Sequence, residues 1–161
     1  MKKYKWPIIL ANLLILLIYF NTSIFKKEKM LDEGKLLLLE LAPVDPRSLM
    51  QGDYMSLNYA ISTGVAVDSI SKRGYCVVKL DSMGVAQRLR IQPEKTPLND
   101  GEWLIAYHNS AWNMNIGAES YFFQEGTAEK YAEAKYGGVK VDGQGNSLLI
   151  GLYGENLKQI E

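Results

Sequence analysis

Cysteine and histidine are nearly absent from this sequence of 161 residues, which contains one of each, Cys76 and His108. A single cysteine cannot form a disulfide within the chain, so the fold must be held together by its hydrophobic core. Protein zinc sites use about three or four ligands, which a lone histidine and a lone cysteine cannot supply. The sequence therefore predicts no metal and no cofactor. Cys76 lies in the apolar run at residues 75–78, which predicts a buried and unreactive thiol.

A surplus of positive charge is missing from the larger part of the chain. Residues 1–29 contain six lysines and one glutamate, for a net charge of +5, whereas residues 30–161 contain 12 basic and 17 acidic residues, for a net charge of −5. Nucleic-acid-binding domains usually carry positive charge on their folded part, because neutralising phosphates supplies most of their affinity. The acidic character of residues 30–161 therefore predicts that nucleic acid is not a partner.

A long hydrophobic run is present near the amino terminus. Residues 6–20 are apolar except for Asn12, and apolar character resumes just before the next pair of lysines. As a helix, residues 6–25 span about 30 Å, which is the thickness of the hydrocarbon core of a bilayer. Lysines flank both ends, and Trp6 and Tyr19 suit the membrane interface. The segment is therefore predicted to be a transmembrane helix.

A cleaved signal peptide is the alternative to an uncleaved anchor, but it needs small residues at the cleavage site, and residues 20–25 contain no Ala-x-Ala pattern. A short basic tail before a long domain is typical of a signal-anchor, which places that domain outside the cytoplasm. We therefore predict an anchor with basic flanks at residues 1–29 and an extracytoplasmic domain at residues 30–161. Asn12, in mid-span, is a candidate to hydrogen-bond across a helix interface, and the alternative is that its exposure in the span is tolerated.

Short apolar runs separated by glycine, proline, asparagine and aspartate dominate the rest of the chain, which is the pattern of an all-β domain. Residues 81–84 and 142–146 have the composition of hairpin turns, so consecutive strands are expected to pair antiparallel. The predicted strands are residues 36–42, 54–61, 74–80, 85–91, 102–107, 112–116, 138–141 and 147–152.

One segment of this domain has a helical pattern instead. Residues 127–136 are rich in alanine, glutamate and lysine, Thr127 is suited to cap the amino end, and Gly137 and Gly138 follow the carboxy end. Small residues on one face of this helix allow it to lie against a sheet. The predicted fold is mainly β, of the α+β type. It consists of a transmembrane helix followed by an antiparallel β-barrel-like or curved-sheet domain with one packed helix.

Three sequence blocks resemble a known family. Residues 43–47 read Pro-Val-Asp-Pro-Arg, residues 52–59 read Gly-Asp-Tyr-x-x-Leu-x-Tyr, and residues 117–126 read Gly-Ala-Glu-Ser-Tyr-Phe-Phe-Gln-Glu-Gly. In this order, behind one membrane segment, they are similar to the GDYXXLXY family over nearly all of residues 36–153. The resemblance implies a protein anchored once in the bacterial inner membrane and often encoded beside multi-pass membrane proteins. It supplies no catalytic residue.

The second block also has a strand pattern of its own. If a strand begins at Tyr54, alternate residues face opposite sides, so Met55, Leu57 and Tyr59 are expected in the core and Tyr54 outside it. The two glutamates of the third block, Glu119 and Glu125, invite an acid–base interpretation, but an acidic group before a helix is more often structural. The candidate binding residues are Asp45, Arg47, Gly52, Asp53, Tyr54, Tyr59, Tyr121 and Glu125.

The chain lacks a complete catalytic set, and an enzyme is therefore not the favoured interpretation. A partial likeness to signal peptidases fails because Val44 stands where their nucleophilic serine would be. We expect a non-catalytic accessory subunit that assembles with a polytopic membrane protein. The alternative is a ligand-binding or hydrolytic envelope domain with a site around Asp45, Arg47, Asp53 and neighbouring candidate residues. A purely structural envelope protein is a third possibility.

Overall fold

The computed structural model describes residues 5–42, 54–110, 113–124 and 126–160. The chain divides into two compact units, Met1–Glu33 and Gly34–Glu161. The first contains the helix α1 (Lys5–Glu33), which by its length and its mean hydropathy of 2.2 over an 18-residue window is apolar enough to cross a membrane. The helix continues through residues 30–33, beyond the predicted end of the anchor at residue 29. An ion pair of 3.6 Å between Lys29 and Glu33 spans this last turn.

Among the described residues of the second unit, nine strands and one short α-helix are present. They are β1 (Lys35–Glu40), β2 (Tyr54–Ser56), β3 (Arg73–Leu80), β4 (Ala86–Gln92), β5 (Glu102–Asn109), β6 (Met114–Asn115), β7 (Ser120–Phe122), α2 (Ala128–Tyr131), β8 (Tyr136–Val141) and β9 (Ser147–Tyr153). This content confirms the predicted mainly β, α+β class.

The strands form three sheets in which all neighbours are antiparallel. Their orders are β1–β8–β9, β2–β7 and β4–β3–β5–β6. A parallel bridge between Leu38 and Val85 connects the first sheet to the third, and the Leu38 N–H donates to the Gly84 carbonyl at 3.2 Å. The described strands do not close into a barrel. Of the two architectures predicted from the sequence, the curved sheet is therefore the one observed.

Strand β1 lies between the main hydrophobic core and a smaller hydrophobic cluster. Three of its four consecutive leucines are buried, because both faces of the sheet are covered at residues 37–39. Leu37 and Leu39 are fully buried in the main core, whereas Leu38 packs with Val85 in a smaller cluster on the other side. Cys76 is also in the main core with 0% of its surface exposed, as predicted. Burial raises the pKa of its thiol to about 12, which keeps it unreactive.

Both predicted hairpin turns are confirmed, and each is organised by an aspartate. The Asp81 carboxylate accepts hydrogen bonds from the N–H groups two and four residues later, at 2.8 and 2.9 Å. The Asp142 carboxylate does the same, with both bonds at 2.9 Å. Gly84 and Gly145 follow within the two turns with φ of +83° and +87°, a conformation that other residues adopt with strain.

The predicted helix is present, but it is shorter than its sequence pattern. The α-helix ends at Tyr131, and the Thr127 hydroxyl donates to the Gln124 carbonyl instead of capping it. Residues 132 and 133 are in a turn, and the backbone of Lys135 bonds to residues 41 and 153 on two sides, at 2.9 and 2.8 Å. Long-range pairing therefore overrides local helix propensity at the end of this segment.

The loop between β4 and β5, residues 93–101, is held by an ion pair. Both terminal nitrogens of Arg90 bind the Glu102 carboxylate, at 2.7 and 2.8 Å, and one also donates to the Pro97 carbonyl. Asn99 donates its backbone N–H and its side-chain amide to the same carboxylate, both at 3.0 Å. These hydrogen bonds, with that of Arg90 the largest contribution, lower the pKa of Glu102 to about 2. The Glu102 side chain is only 8% exposed.

The lowered pKa predicts how stability depends on pH. A carboxyl whose pKa is lower in the folded state contributes stability above its unfolded pKa, near 4.5, and that contribution is lost as the pH falls towards 2. The urea midpoint of the full-length protein in detergent should therefore fall over this window, and less steeply in Glu102→Gln. Glu94→Gln, an exposed residue of the same loop, is the control. Parallel curves for Glu102→Gln and the wild type would contradict the prediction.

Candidate functional site

Residues 54–59, here called the signature strand, lie between two other segments of the chain. On one side Tyr54 pairs with Phe122 in the β2–β7 ladder, and the Leu57 N–H donates to the Glu119 carbonyl at 2.7 Å. On the other side, at its carboxy end, Tyr59 forms an antiparallel bridge with Leu41, and the carbonyl of residue 58 accepts from the N–H of residue 42 at 2.8 Å. The second and third sequence blocks are therefore direct neighbours in space.

The predicted alternation of the signature strand is confirmed. Met55, Leu57 and Tyr59 are buried, with 1–2% of their surfaces exposed, whereas Tyr54 is 39% exposed. Ladder pairing ends at Ser56, and a 3-10 helix (Ala60–Ser62) replaces the last residues of the predicted strand. The two tyrosines of the signature therefore occupy different environments, one in the core and one on the surface.

Tyr59 is fixed in the core by one hydrogen bond and one close glycine. Its hydroxyl donates to the Ala118 carbonyl at 2.5 Å. Its ring lies over Gly137, where a Cβ atom would stand 2.9 Å from ring Cε1. Burial, followed by the charge of Glu119, raises the pKa of the phenol far above its ordinary value, so it stays protonated and donates. Tyr59 thereby connects the signature strand to the third block and to β8.

Glu119 organises the turn that precedes β7. Its carboxylate accepts the N–H of Ile116 through a short hydrogen bond and the N–H of Gly117 at 3.0 Å. Gly117 has φ of +81°, which suits a tight turn. The carboxylate is therefore engaged by backbone donors, which is the structural role that competes with an acid–base interpretation. Glu125 lies outside the described residues.

An aromatic cluster attaches α2 to the two-stranded sheet. The ring of Tyr131 lies 5.1 Å from that of Tyr121 in an edge-on arrangement and 5.5 Å from that of Phe123. Burial, followed by a hydrogen bond with Tyr131, raises the pKa of Tyr121 to about 12. Contacts of this kind stabilise packing by about 0.5–1.5 kcal/mol each beyond the buried area. Tyr121 therefore holds the short helix in place.

The opposite face of the same sheet carries an exposed aromatic pair. Tyr54 and Phe122 are cross-strand neighbours whose ring centroids are 5.8 Å apart. Phe122 is 73% exposed, the second most exposed large apolar side chain among the described residues after Trp6 in α1. This pair, which we call the aromatic pair, forms a surface that a second protein can contact.

A cleft of about 300 Å³ lies beside the signature strand. This volume is at the lower end of the range for small-molecule sites. Met55 and Leu57 contribute apolar surface to it, and the polar or aromatic side chains at its wall are Glu40, Asn58, Tyr131, Lys135 and Tyr136. The wall of the cleft therefore combines apolar and charged side chains.

The structure separates some of the predicted site residues. Tyr54 faces outward, whereas Tyr59 and Tyr121 face the core side, so these tyrosines do not line one common surface. Asp45, Arg47, Gly52, Asp53 and Glu125 lie outside the described residues. Within the described ranges, no group of three or more histidine, cysteine, aspartate or glutamate residues is placed to hold a metal ion.

Two features of the site are missed by sequence reasoning. Gly137 is interpreted from the sequence as the end of a helix, whereas it lies in β8 and makes room for Tyr59. A glycine within a strand often marks close approach of another group, which is the signal available in the sequence. Glu40 and Lys135 border the cleft only because β1 and β8 are adjacent, and no local motif indicates this.

These features define a class: a β-rich domain, built around one buried and one exposed signature tyrosine, that follows an apolar helix long enough to span a membrane. The family model described as GDYXXLXY protein matches residues 16–152. The chain therefore belongs to the GDYXXLXY family, as its motifs predict. No curated protein and no solved structure matches the chain.

Proposed function

We propose that this protein is a single-pass accessory subunit of the bacterial inner membrane that assembles with a polytopic membrane protein. Its helix anchors the chain, and its β-rich domain lies on the extracytoplasmic side and contacts the partner. In this proposal the role of the domain is binding rather than catalysis.

The aromatic pair is the observation that carries the proposal. Tyr54 belongs to the family signature and Phe122 to the third block, yet both place large apolar rings in solvent instead of in the core. Tyrosine and phenylalanine are enriched at protein interfaces, where an exposed ring gains by being covered. Protein association accounts for two adjacent exposed rings, one in the signature and one in the third block, which folding of the domain by itself does not.

The anchor supports the same proposal. Helix α1 is 29 residues long, and none of its residues is buried within the protein. Only Gly34 separates its last residue from the first residue of β1, so the chain provides no long linker between anchor and domain. In this proposal the anchor confines the protein to the same membrane as its polytopic partner.

The test is assembly of the full-length protein in its native membrane. After mild detergent extraction, native mass spectrometry should detect the chain in a complex with a multi-pass protein. The double variant Tyr54→Ser, Phe122→Ser should weaken that complex by about 2 kcal/mol or more, because aromatic anchors are typical hot spots. An alkaline phosphatase fusion at the carboxy terminus should be active, which tests the orientation.

Leu89→Ser is the matched control, since Leu89 is also an exposed apolar residue, on β4. It should leave the complex intact. A strictly monomeric wild-type protein would contradict the proposal, as would an inactive phosphatase fusion or equal effects of the control and the double variant.

A further inference from the structure

The polar side chains of helix α1 fall into two groups. The Asn21 side-chain amide donates to the Leu17 carbonyl at 2.8 Å, and the Thr22 hydroxyl donates to the Tyr19 carbonyl at 2.9 Å. These two side chains are satisfied by the backbone of their own helix. Among the described residues, the side chains of Asn12 and Ser23 and the hydroxyl of Tyr19 have no such hydrogen bond.

The three unsatisfied groups lie on one face of the helix. With about 3.6 residues per turn, Asn12, Tyr19 and Ser23 fall within about 40° of one another around the axis. Lys5 and Lys26 extend the same line at its two ends. We call these five residues the Asn12 stripe. The opposite side carries Leu10, Leu14, Leu17 and the self-satisfied Asn21.

The depth of Asn12 in the membrane explains why its missing hydrogen bond matters. Asn12 lies six residues after Trp6, which places it about 9 Å inside the predicted span. No water is available at that depth to bind a side-chain amide, so polar groups there face other helices and hydrogen-bond across the interface. Asn21 shows that this helix can satisfy an amide internally, whereas Asn12 keeps its amide free for another chain.

The stripe could contact either a second copy of this helix or a helix of another membrane protein, and the charges of the two lysines distinguish between them. In a parallel pair of identical helices, Lys26 would face Lys26 and Lys5 would face Lys5, and like charges at both ends oppose that pairing. A helix of another membrane protein can instead place hydrogen-bonding or acidic groups at the levels of both lysines. The stripe therefore fits a heterologous helix better than a second copy of this chain.

We propose that the Asn12 stripe is the binding face for a transmembrane helix of a different protein, one that offers a polar side chain opposite Asn12 and acidic or carbonyl groups near Lys5 and Lys26. This inference rests on the proposed accessory role and specifies which face of the anchor takes part. Asn12 is the central contact, and the leucine-rich opposite side faces lipid.

Photocrosslinking of the full-length protein in its native membrane tests the stripe. Benzoylphenylalanine at Leu16, within about 40° of Asn12, should give one discrete heterologous adduct, whereas the same group at Leu14, on the opposite side, should give none. Asn12→Leu should reduce the adduct yield at residue 16 about five-fold, in line with the loss of one interhelical hydrogen bond. Asn12→Gln should retain most of the yield, and Asn21→Leu, the matched control, should leave it unchanged.

Several outcomes would overturn the stripe. An adduct with the mass of two copies of this chain would identify self-association, and equal yields at residues 14 and 16 would remove the preference for one face. An unchanged yield in Asn12→Leu, together with loss of the complex in the Tyr54→Ser, Phe122→Ser variant, would contradict the proposed binding face on α1 and would still support the accessory role. If the wild-type chain forms no complex at all, the accessory role fails first.

Discussion

Tyr59→Ala should destabilise the domain by about 3–5 kcal/mol, which is a large part of the typical stability of about 5–15 kcal/mol. The substitution empties the space between the signature strand and β8 and removes the hydrogen bond to the Ala118 carbonyl. Tyr59→Phe keeps the ring and should cost only about 1–2 kcal/mol, from the unsatisfied carbonyl. The measurement is urea-induced unfolding of the full-length protein in detergent, followed by near-ultraviolet circular dichroism.

Tyr54→Ala is the matched control, because it truncates the other signature tyrosine, which is exposed. It removes one cross-strand ring contact and should cost less than about 1.5 kcal/mol.

A double-mutant cycle tests the contact between Tyr59 and Gly137 directly. Gly137→Ala forces a Cβ against the ring of Tyr59, so it should cost less in the Tyr59→Ala background than in the wild type. Equal costs in both backgrounds would show that the close packing is unimportant.

Gly138→Ala is expected to have the second large effect, a loss of about 1–3 kcal/mol. A Cβ at this position would overlap Cε2 of Tyr153, which is incompatible with the present position of that ring. Tyr153 packs with Leu38 and Val85 in the smaller core cluster, so moving the ring disturbs the outer cover of the β1–β8–β9 sheet. The same unfolding experiment measures the loss.

Gly143→Ala is the control for this second experiment. A Cβ at Gly143 meets no atom within 4 Å, so the substitution should be neutral or slightly stabilising through the unfolded state. Tyr153→Leu should recover part of the loss in Gly138→Ala by removing the ring that the new methyl group meets. If Gly138→Ala and Gly143→Ala unfold alike, the ring is free to move and the smaller cluster contributes little stability.

The two signature tyrosines show how far sequence reasoning reaches in the site. The alternation of residues 54–59 predicts one buried and one exposed tyrosine, because a strand has a period of two wherever it lies. The partner of that strand is β7, about 65 residues further along the chain, and no local pattern in either segment encodes this pairing. The exposure of Tyr54 could therefore be predicted from the sequence. The position of Phe122 beside it could not, because it results from the pairing of the two strands.

The segment at residues 127–136 shows the opposite case. Its alanines and charged residues favour a helix locally, but the backbone of Lys135 pairs with β9 and with residue 41, and the helix ends at Tyr131. The backbone of Lys135 makes long-range hydrogen bonds in place of those of a helix. The exchange is decided by the strands already present on both sides, which a local pattern does not contain.

The sequence by itself determined the apolar span, the β-rich class, the two aspartate turns and the family, because each depends on residues that are close together in the chain. The tertiary structure alone decided that the second and third blocks adjoin and that Gly137 makes room for Tyr59. These contacts join segments separated by up to 78 residues in the numbering, from Tyr59 to Gly137. They depend on how complementary surfaces pack, and short-range propensities do not report that.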